Sequence, residues 1–187
     1  LKIIGKQIKQ IENLVNEFSD FARMPKPILK NNNLVSLVRD NINLIGEVDR
    51  NISINLITSS DNVILNSDSE QLSRAFFNMI KNSIESIQEK KDYIVDFKGK
   101  IDININDNVS NIEFSIIDNG LGFEKLSNNI NIKDVLNPYF TTKKKGTGLG
   151  LAIVNKTIND HNGSIEFIPI TNGAKILIKF IKWVQKY

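Results

Sequence analysis

The sequence predicts an α+β fold: a two-layer sandwich of a mixed β-sheet with helices on one face, preceded by one long bundle helix. Three observations predict it. Apolar residues at Ile4, Ile8, Ile11, Val15, Phe18 and Ala22 recur at spacings of 4 and 3, the heptad seam of a helix that buries one face against partner helices. Further along, "ISINLI", "KIDININD", "NIEFSIID", "SIEFIPI" and "AKILIKF" alternate polar and apolar residues as half-buried strands do. Helical periodicity returns over 34–48, 70–89 and 148–161, so strands and helices interleave without the strict βαβ alternation of a doubly wound fold.

The elements follow in order. The first helix, residues 1–24, spans roughly 36 Å at 1.5 Å per residue and reads as a bundle helix that needs partner helices for its apolar face. Ile3, Leu14 and Phe21 widen its apolar seam. Pro25 and Pro27 in "RMPKP" end it, because each proline drives its predecessor out of helix; residues 25–33 are therefore expected as a linker. Residues 34–187 then form one domain. Asp68 or Ser69 can cap the long helix over 70–89. "KIDININD" and "NIEFSIID" form a hairpin with Asn108 and Ser110 in its turn. The stretch from Asp118 to Gly146 is long for a plain connection, which marks it as functional. The helix after it stops at "HNG", with Gly163 the expected stop.

Composition narrows the function classes. At 41% hydrophobic and 24% charged, the chain of 187 residues is ordinary for a globular protein. Without cysteine it has neither disulfides nor thiolate metal sites. A net charge of +3, with basic residues scattered except at Lys143, Lys144 and Lys145, argues against nucleic-acid binding. No apolar run reaches the roughly 20 residues of a membrane span, so no membrane contact is expected from this segment. Leu1, not Met, opens the chain inside a helical pattern, which is the expectation for a piece of a longer protein. The frequent asparagines read as a compositional bias.

Three stretches carry chemistry. In "NMIKNSIESI", Asn78, Asn82 and Glu85 are spaced 4 and 3 and share one helix face; alone, they would pass for surface residues. In "DNGLGF", Asp118 at a strand end is followed by Gly120 and Gly122, which allow a tight turn and close ligand approach; alone, this is a hairpin turn. In "PYFTTKKKGTGLGL", Gly146, Gly148 and Gly150 lead into a helix whose free amides can hold a phosphate chain. That ladder matches neither the Walker A loop nor the dinucleotide fingerprint.

The ordered set Asn78-x-x-x-Asn82, Asp118-x-Gly120-x-Gly122, "PYFTTK" and "GTGLGL" resembles the four boxes of sensor histidine kinases, whose ATP-binding fold is shared with gyrase, Hsp90 and MutL. "EFSDFARMPKP" is similar to nitrogen-regulation sensors of the NtrY/NtrB type. The resemblance covers nearly the whole chain and implies a histidine protein kinase using ATP and Mg²⁺, with residues 1–24 as part of the second helix of its dimerization and phosphoacceptor hairpin and residues 34–187 as its catalytic ATP-binding domain. It implies that Asn82 ligates Mg²⁺ through its amide oxygen and that Asp118 accepts from the adenine amine. It further implies that Gly120 and Gly122 admit the base, while Gly146, Thr147, Gly148, Leu149 and Gly150 form the phosphate-facing end of a lid. Phe140, Thr142 and Lys143 belong to the lid's anchoring box, Phe140 packing it down and Lys143 neutralising phosphate. Asn78 stands where hydrolysing relatives carry a glutamate base; an amide cannot deprotonate water, which suits a kinase. Glu85 either holds a magnesium-bound water or faces solvent.

The implied partners are a response regulator and a second copy of the intact protein, joined through a four-helix bundle. The implied location is cytoplasmic, within a parent of a type often anchored in the inner membrane. A kinase also needs an acceptor histidine. His161, in "DHNG" at a helix end, is the one histidine, and its context is structural; the acceptor is expected upstream of Leu1. Three alternatives stand beside this reading: a nucleotide-sensing interaction module or phosphatase-dominant sensor, a gyrase-type ATPase, and an anti-sigma-type serine kinase.

Overall fold

The computed structural model describes residues 2–45, 51–122, 132–141, 143 and 146–182. The heptad pattern forms α1, Lys2–Ala22. Its seam lies open: Ile4, Ile8, Ile11, Val15 and Phe18 are 46–62% exposed, so at these positions the helix leaves uncovered the apolar face that its sequence builds.

The domain that follows consists of β1 (Lys30–Asn33), α2 (Leu34–Ile45), β2 (Ile52–Thr58), β3 (Ile64–Ser67), α3 (Ser69–Lys91), β4 (Gly99–Asp107), β5 (Asn111–Asp118), α4 (Gly150–Asp160), β6 (Gly163–Ile170) and β7 (Gly173–Ile181). A short 3₁₀ turn, Ile132–Leu136, precedes the glycine ladder. The main sheet has the order β2-β4-β5-β7-β6. Only β2–β4 is parallel, and the other pairs are antiparallel. A parallel pair needs a long crossover, which β3 and α3 supply. The expected mixed sheet with helices on one face is thus observed, as is the β4–β5 hairpin.

The core follows from period two in the strands and 3.6 in the helices. Ile101, Ile103 and Ile105 of β4, Ile112, Phe114 and Ile116 of β5, and Ile176, Ile178 and Phe180 of β7 are buried. They meet Leu72, Phe76, Met79, Ile80 and Ile87 of α3. Phe76 stacks on Phe114 with ring centroids 4.8 Å apart, fixing α3 over the sheet centre.

Several local expectations are corrected. Lys30–Asn33, within the stretch read as linker, pairs antiparallel with β3 in a separate two-stranded sheet. β1 lacks the alternation that marks a half-buried strand, being three asparagines after a lysine, whereas β3 falls within "NVILNS", which reads as a short strand from sequence, and alternates in burial. The last helix begins at Gly150 rather than Gly148. It stops through Asn162, which takes the left-handed conformation at φ 55°. Gly163 instead opens β6, where a Cβ would stand 2.9 Å from Ile158 Cγ2 and 3.0 Å from the Phe180 ring. Its glycine serves close packing, not chain reversal.

Asp68 is the N-cap of α3, as expected. Its Oδ1 accepts from the amides of Glu70 and Gln71, each at 3.1 Å. Its Oδ2 accepts from the Ile28 amide at 2.9 Å, and Gln71 Nε2 donates to the Pro25 carbonyl at 3.0 Å. The linker is therefore fastened to the start of α3. Burial pushes the Asp68 carboxyl upward, but the amides of Ile28, Gln71 and Glu70 outweigh it and hold it below the usual range. A lowered folded-state value contributes stability above the unfolded value of about 3.9 that is lost as pH falls through the folded value. Asp68→Ala is expected to lower unfolding stability by about 1 kcal/mol and to flatten this acid limb. Urea unfolding at pH 7 and across the acid range, beside the wild type, measures both.

Candidate functional site

Helix α3 builds the site from two neighbouring faces. On one, Asn78, Asn82 and Glu85 are half-buried. Lys143 reaches this face from the segment before the ladder: its ammonium donates to Asn82 Oδ1 at 3.3 Å and forms a close ion pair with Glu85. Lys81 stands 4.0 Å from the same carboxylate. Glu85, ambiguous from sequence, thus faces the site. Gly150, the first residue of α4, lies beside Asn82, and a Cβ there would stand 3.9 Å from Asn82 Nδ2. The start of α4 and its free amides are so brought against the asparagine face.

On the other face, Ser83 and Ser86 hold the end of β5. Asp118 is 7% exposed. Ser83 Oγ donates to its Oδ2 at 3.0 Å, and the Gly120 amide donates to its Oδ1 at 2.9 Å. The Leu121 amide donates to Ser86 Oγ at 3.0 Å. A Cβ on Gly120 would stand 2.9 Å from the Ser86 carbonyl carbon, so the turn lies flat on α3. Burial pushes the Asp118 carboxyl above its usual range. Hydrogen bonds from Gly120, Ser83 and Ala174, with the Lys90 charge, oppose that rise without cancelling it. A buried carboxylate with unspent acceptor lone pairs is poised to take a ligand's N–H.

The glycines divide by role. Gly122 has φ 70°, and any side chain there would strike the Gly173 carbonyl. Gly148 also has φ 70°, and its carbonyl accepts from the Tyr139 amide at 3.0 Å, closing a packed turn. Phe140, next to it, packs on the core. The Gly146 amide donates to the Lys143 carbonyl at 3.2 Å. The Leu149 amide donates to Thr147 Oγ1 at 3.3 Å, and Leu149 itself is fully buried. Thr142, Lys144 and Lys145 lie outside the described residues.

His161 is buried with both ring nitrogens engaged. The Asp68 amide donates to Nε2 at 2.9 Å, so Nδ1 carries the proton and donates to the Thr157 carbonyl at 2.7 Å. This ring joins the end of α4 to the start of α3 and is not a nucleophile. Sequence reasoning missed Ser83, Ser86, Lys90 and Gly173. The signal for the serines was small hydroxyls in the register of a helix face turned toward a strand end.

The donor set fits Mg²⁺. An amide oxygen and a carboxylate are hard oxygen ligands, and the Lys143 ammonium on both shows a site that receives positive charge. Among the described residues no group of three His, Cys, Asp or Glu side chains could hold a metal ion alone. Mg²⁺ here would therefore share its coordination with phosphate oxygens and water.

A buried acidic acceptor at a strand end, an asparagine face on the same helix and a glycine ladder leading into α4 together form the candidate site. Residues 67–182 match the histidine kinase-, DNA gyrase B- and HSP90-like ATPase family, and the chain belongs to that family. It is 35% identical over 186 residues to nitrogen regulation protein NtrY of Azorhizobium caulinodans, covering 94% of this chain and 22% of that protein. It is 31% identical to a putative sensor histidine kinase NtrY-like of Rickettsia bellii, covering 96% of this chain and 28% of that protein. The chain thus spans about a quarter of the length of these relatives. The catalytic domain of histidine kinase ThkA superposes with a TM-score of 0.67 at 27% identity, over 82% of this chain and 95% of that one. Among the described residues no helix is long and apolar enough to cross a membrane.

Proposed function

We propose that this chain is the ATP-binding catalytic domain, with one dimerization helix, of a two-component sensor kinase. It delivers the ATP γ-phosphoryl group to a histidine outside this sequence, and from there to a response-regulator aspartate. The observation that carries the proposal is the two-faced use of α3, with Asn78, Asn82 and Glu85 on one side and Ser83 and Ser86 gripping Asp118 on the other. Base and phosphate recognition are thereby fixed by one rigid element.

Asp118 accepts a hydrogen bond from the adenine amine. Guanine presents an acceptor at that position, so two acceptors would face each other, a mismatch worth about 1–3 kcal/mol and more when one is charged. Gly120 and Gly122 let the backbone lie against the base. Asn82, with Glu85, would hold Mg²⁺, which would supply charge neutralisation at the phosphates. Lys143 adds a second positive charge to the phosphate end. The amides at the start of α4 bind phosphate oxygens, and the segment from Gly146 to Gly150, anchored by Phe140, covers them with Thr147 and Leu149. Asn78 takes no proton from water, which keeps the γ-phosphoryl for a protein acceptor. The open seam of α1 supplies one helix of a four-helix bundle in a homodimer of the intact, cytoplasmically facing kinase.

Calorimetric titration with ATP and GTP, with and without Mg²⁺, tests this. Magnesium-assisted ATP binding is expected, with GTP at least about ten-fold weaker, and Asn82→Ala is expected to remove the magnesium dependence. No nucleotide binding by the wild type would overturn the reading in favour of an interaction module.

A further inference from the structure

Lys90 stands in the last turn of α3, half-buried rather than extended into solvent. Its ammonium donates to the Asn119 carbonyl at 2.8 Å and to the Gly120 carbonyl at 2.9 Å. The Phe97 ring lies beneath it, 4.9 Å from the ring centroid. A lysine at a helix C-terminus is favourable through the helix dipole alone, and that accounts for its position in the sequence. It does not account for the side chain turning onto the carbonyls of another element, with an aromatic face shielding it from water.

The two carbonyls belong to the turn that aims Asp118. The rest of that turn is held through its amides and through the Asn119 side chain. Asn119 Nδ2 donates to the Lys98 carbonyl at 2.9 Å, and its Oδ1 accepts from the Lys100 amide at 2.8 Å. Lys90 is what ties the turn's carbonyl side to α3. Removing its charge leaves two part-buried carbonyls without that donor and frees the backbone on which the Asp118 carboxylate rides. The same positive charge lies close enough to favour the ionised carboxylate that burial opposes.

We infer that Lys90 is a positioning residue for base recognition: it clamps the Asn119–Gly120 backbone to α3 and so keeps the Asp118 carboxylate aimed, charged and able to accept from a purine amine. The inference rests on the reading of Asp118 as the base acceptor. It assigns Lys90 to the base end of the ligand only, more than one helical turn along α3 from Asn82, and makes no use of it at the phosphates.

The test is calorimetry on the full chain with Mg-ATP and with Mg-tripolyphosphate, which has the phosphate chain but no base. Lys90→Gln is expected to weaken Mg-ATP binding about ten-fold, or ~1.4 kcal/mol, and to leave Mg-tripolyphosphate binding unchanged. Lys90→Arg, which keeps the charge and the donors, is expected to restore most of the loss. In an Asp118→Asn background, Lys90→Gln is expected to add little, because both changes act on one contact. Equal weakening of both ligands would overturn the inference, since it would place Lys90's effect in general stability or long-range charge; so would an unchanged Mg-ATP affinity in Lys90→Gln beside a weakened Asp118→Asn. If Asp118→Asn itself binds Mg-ATP like the wild type, the base-acceptor reading falls and the inference falls with it. A Lys90→Gln protein that fails to fold leaves the Lys90→Arg comparison, where loss of ATP affinity without loss of tripolyphosphate affinity contradicts rescue and overturns the clamp.

Discussion

Asp118→Asn is expected to weaken ATP binding roughly ten- to hundred-fold, the worth of losing a hydrogen bond to a charged acceptor, while the melting temperature stays level or rises. The two effects part because the carboxylate is costly to the fold. Asp118 is buried at the end of β5, and burial raises its pKa despite Ser83, Gly120, Ala174 and Lys90. A raised folded-state value contributes stability that is fully present below the unfolded value of about 3.9 and is lost as pH rises through the folded value. Above that folded value the contribution is gone, and a neutral side chain of the same shape avoids the desolvation. Asparagine keeps an oxygen for the Gly120 amide, and the Ser83 hydroxyl can turn to accept from the new NH₂. What asparagine cannot do is accept from the adenine amine with that NH₂. Calorimetry with ATP and a thermal melt on the same sample check both halves; a melt that falls along with affinity would mean that Asp118 is structural.

Gly173→Ala is expected to cost about 2–3 kcal/mol by overpacking, or roughly 5–10 °C in melting temperature for a chain of this size. ATP affinity is expected to fall with it. Gly173 opens β7 directly against the end of β5, where Ala174 is paired with Asp118. A Cβ at Gly173 would overlap the Asp118 carbonyl oxygen and stand 2.9 Å from its carbonyl carbon and 3.1 Å from Asn119 Cα. Those atoms are backbone held by sheet pairing on one side and by α3 on the other, so no flexible side-chain end can yield. The Gly122 turn presses on the Gly173 carbonyl as well. The strain therefore emerges where Asp118 is aimed. Thermal denaturation and ATP titration of Gly173→Ala, beside Gly5→Ala on open helix surface, separate this from a generic glycine effect.

How much of this was legible in the sequence depends on whether a feature is local. The hairpin of β4 and β5, the cap at Asp68 and the long helix over it were readable because alternation, capping chemistry and 3.6-residue periodicity are properties of neighbours along the chain. Asn78, Asn82, Asp118 and the glycines were readable because their spacing within each box is short. Ser83, Ser86 and Lys90 were not, because what makes them matter is a strand end more than 25 residues away. Gly173 was not legible either, because what its missing Cβ leaves room for is the backbone of Asp118 and Asn119, distant in the chain. β1 escaped because its pairing with β3, not its own "KNNN", makes it a strand. The link between Lys143 and Glu85 crosses 58 residues, and a lysine run by itself reads as a solvated loop.

The fastening of the linker to α3 also has a mechanical meaning. With the Pro25 carbonyl held by Gln71 and the Ile28 amide by Asp68, the freedom of α1 to swing is confined to the few residues between its end at Ala22 and Pro25. A rod of 21 residues is about 31 Å long, so a tilt of about 10° at that fulcrum displaces its far end by about 5 Å, one helical turn. In the other direction the lever multiplies force. A modest torque on the distal end arrives at the first turn of α3 as a concentrated load, and α3 is the beam on which both ends of the candidate site are mounted.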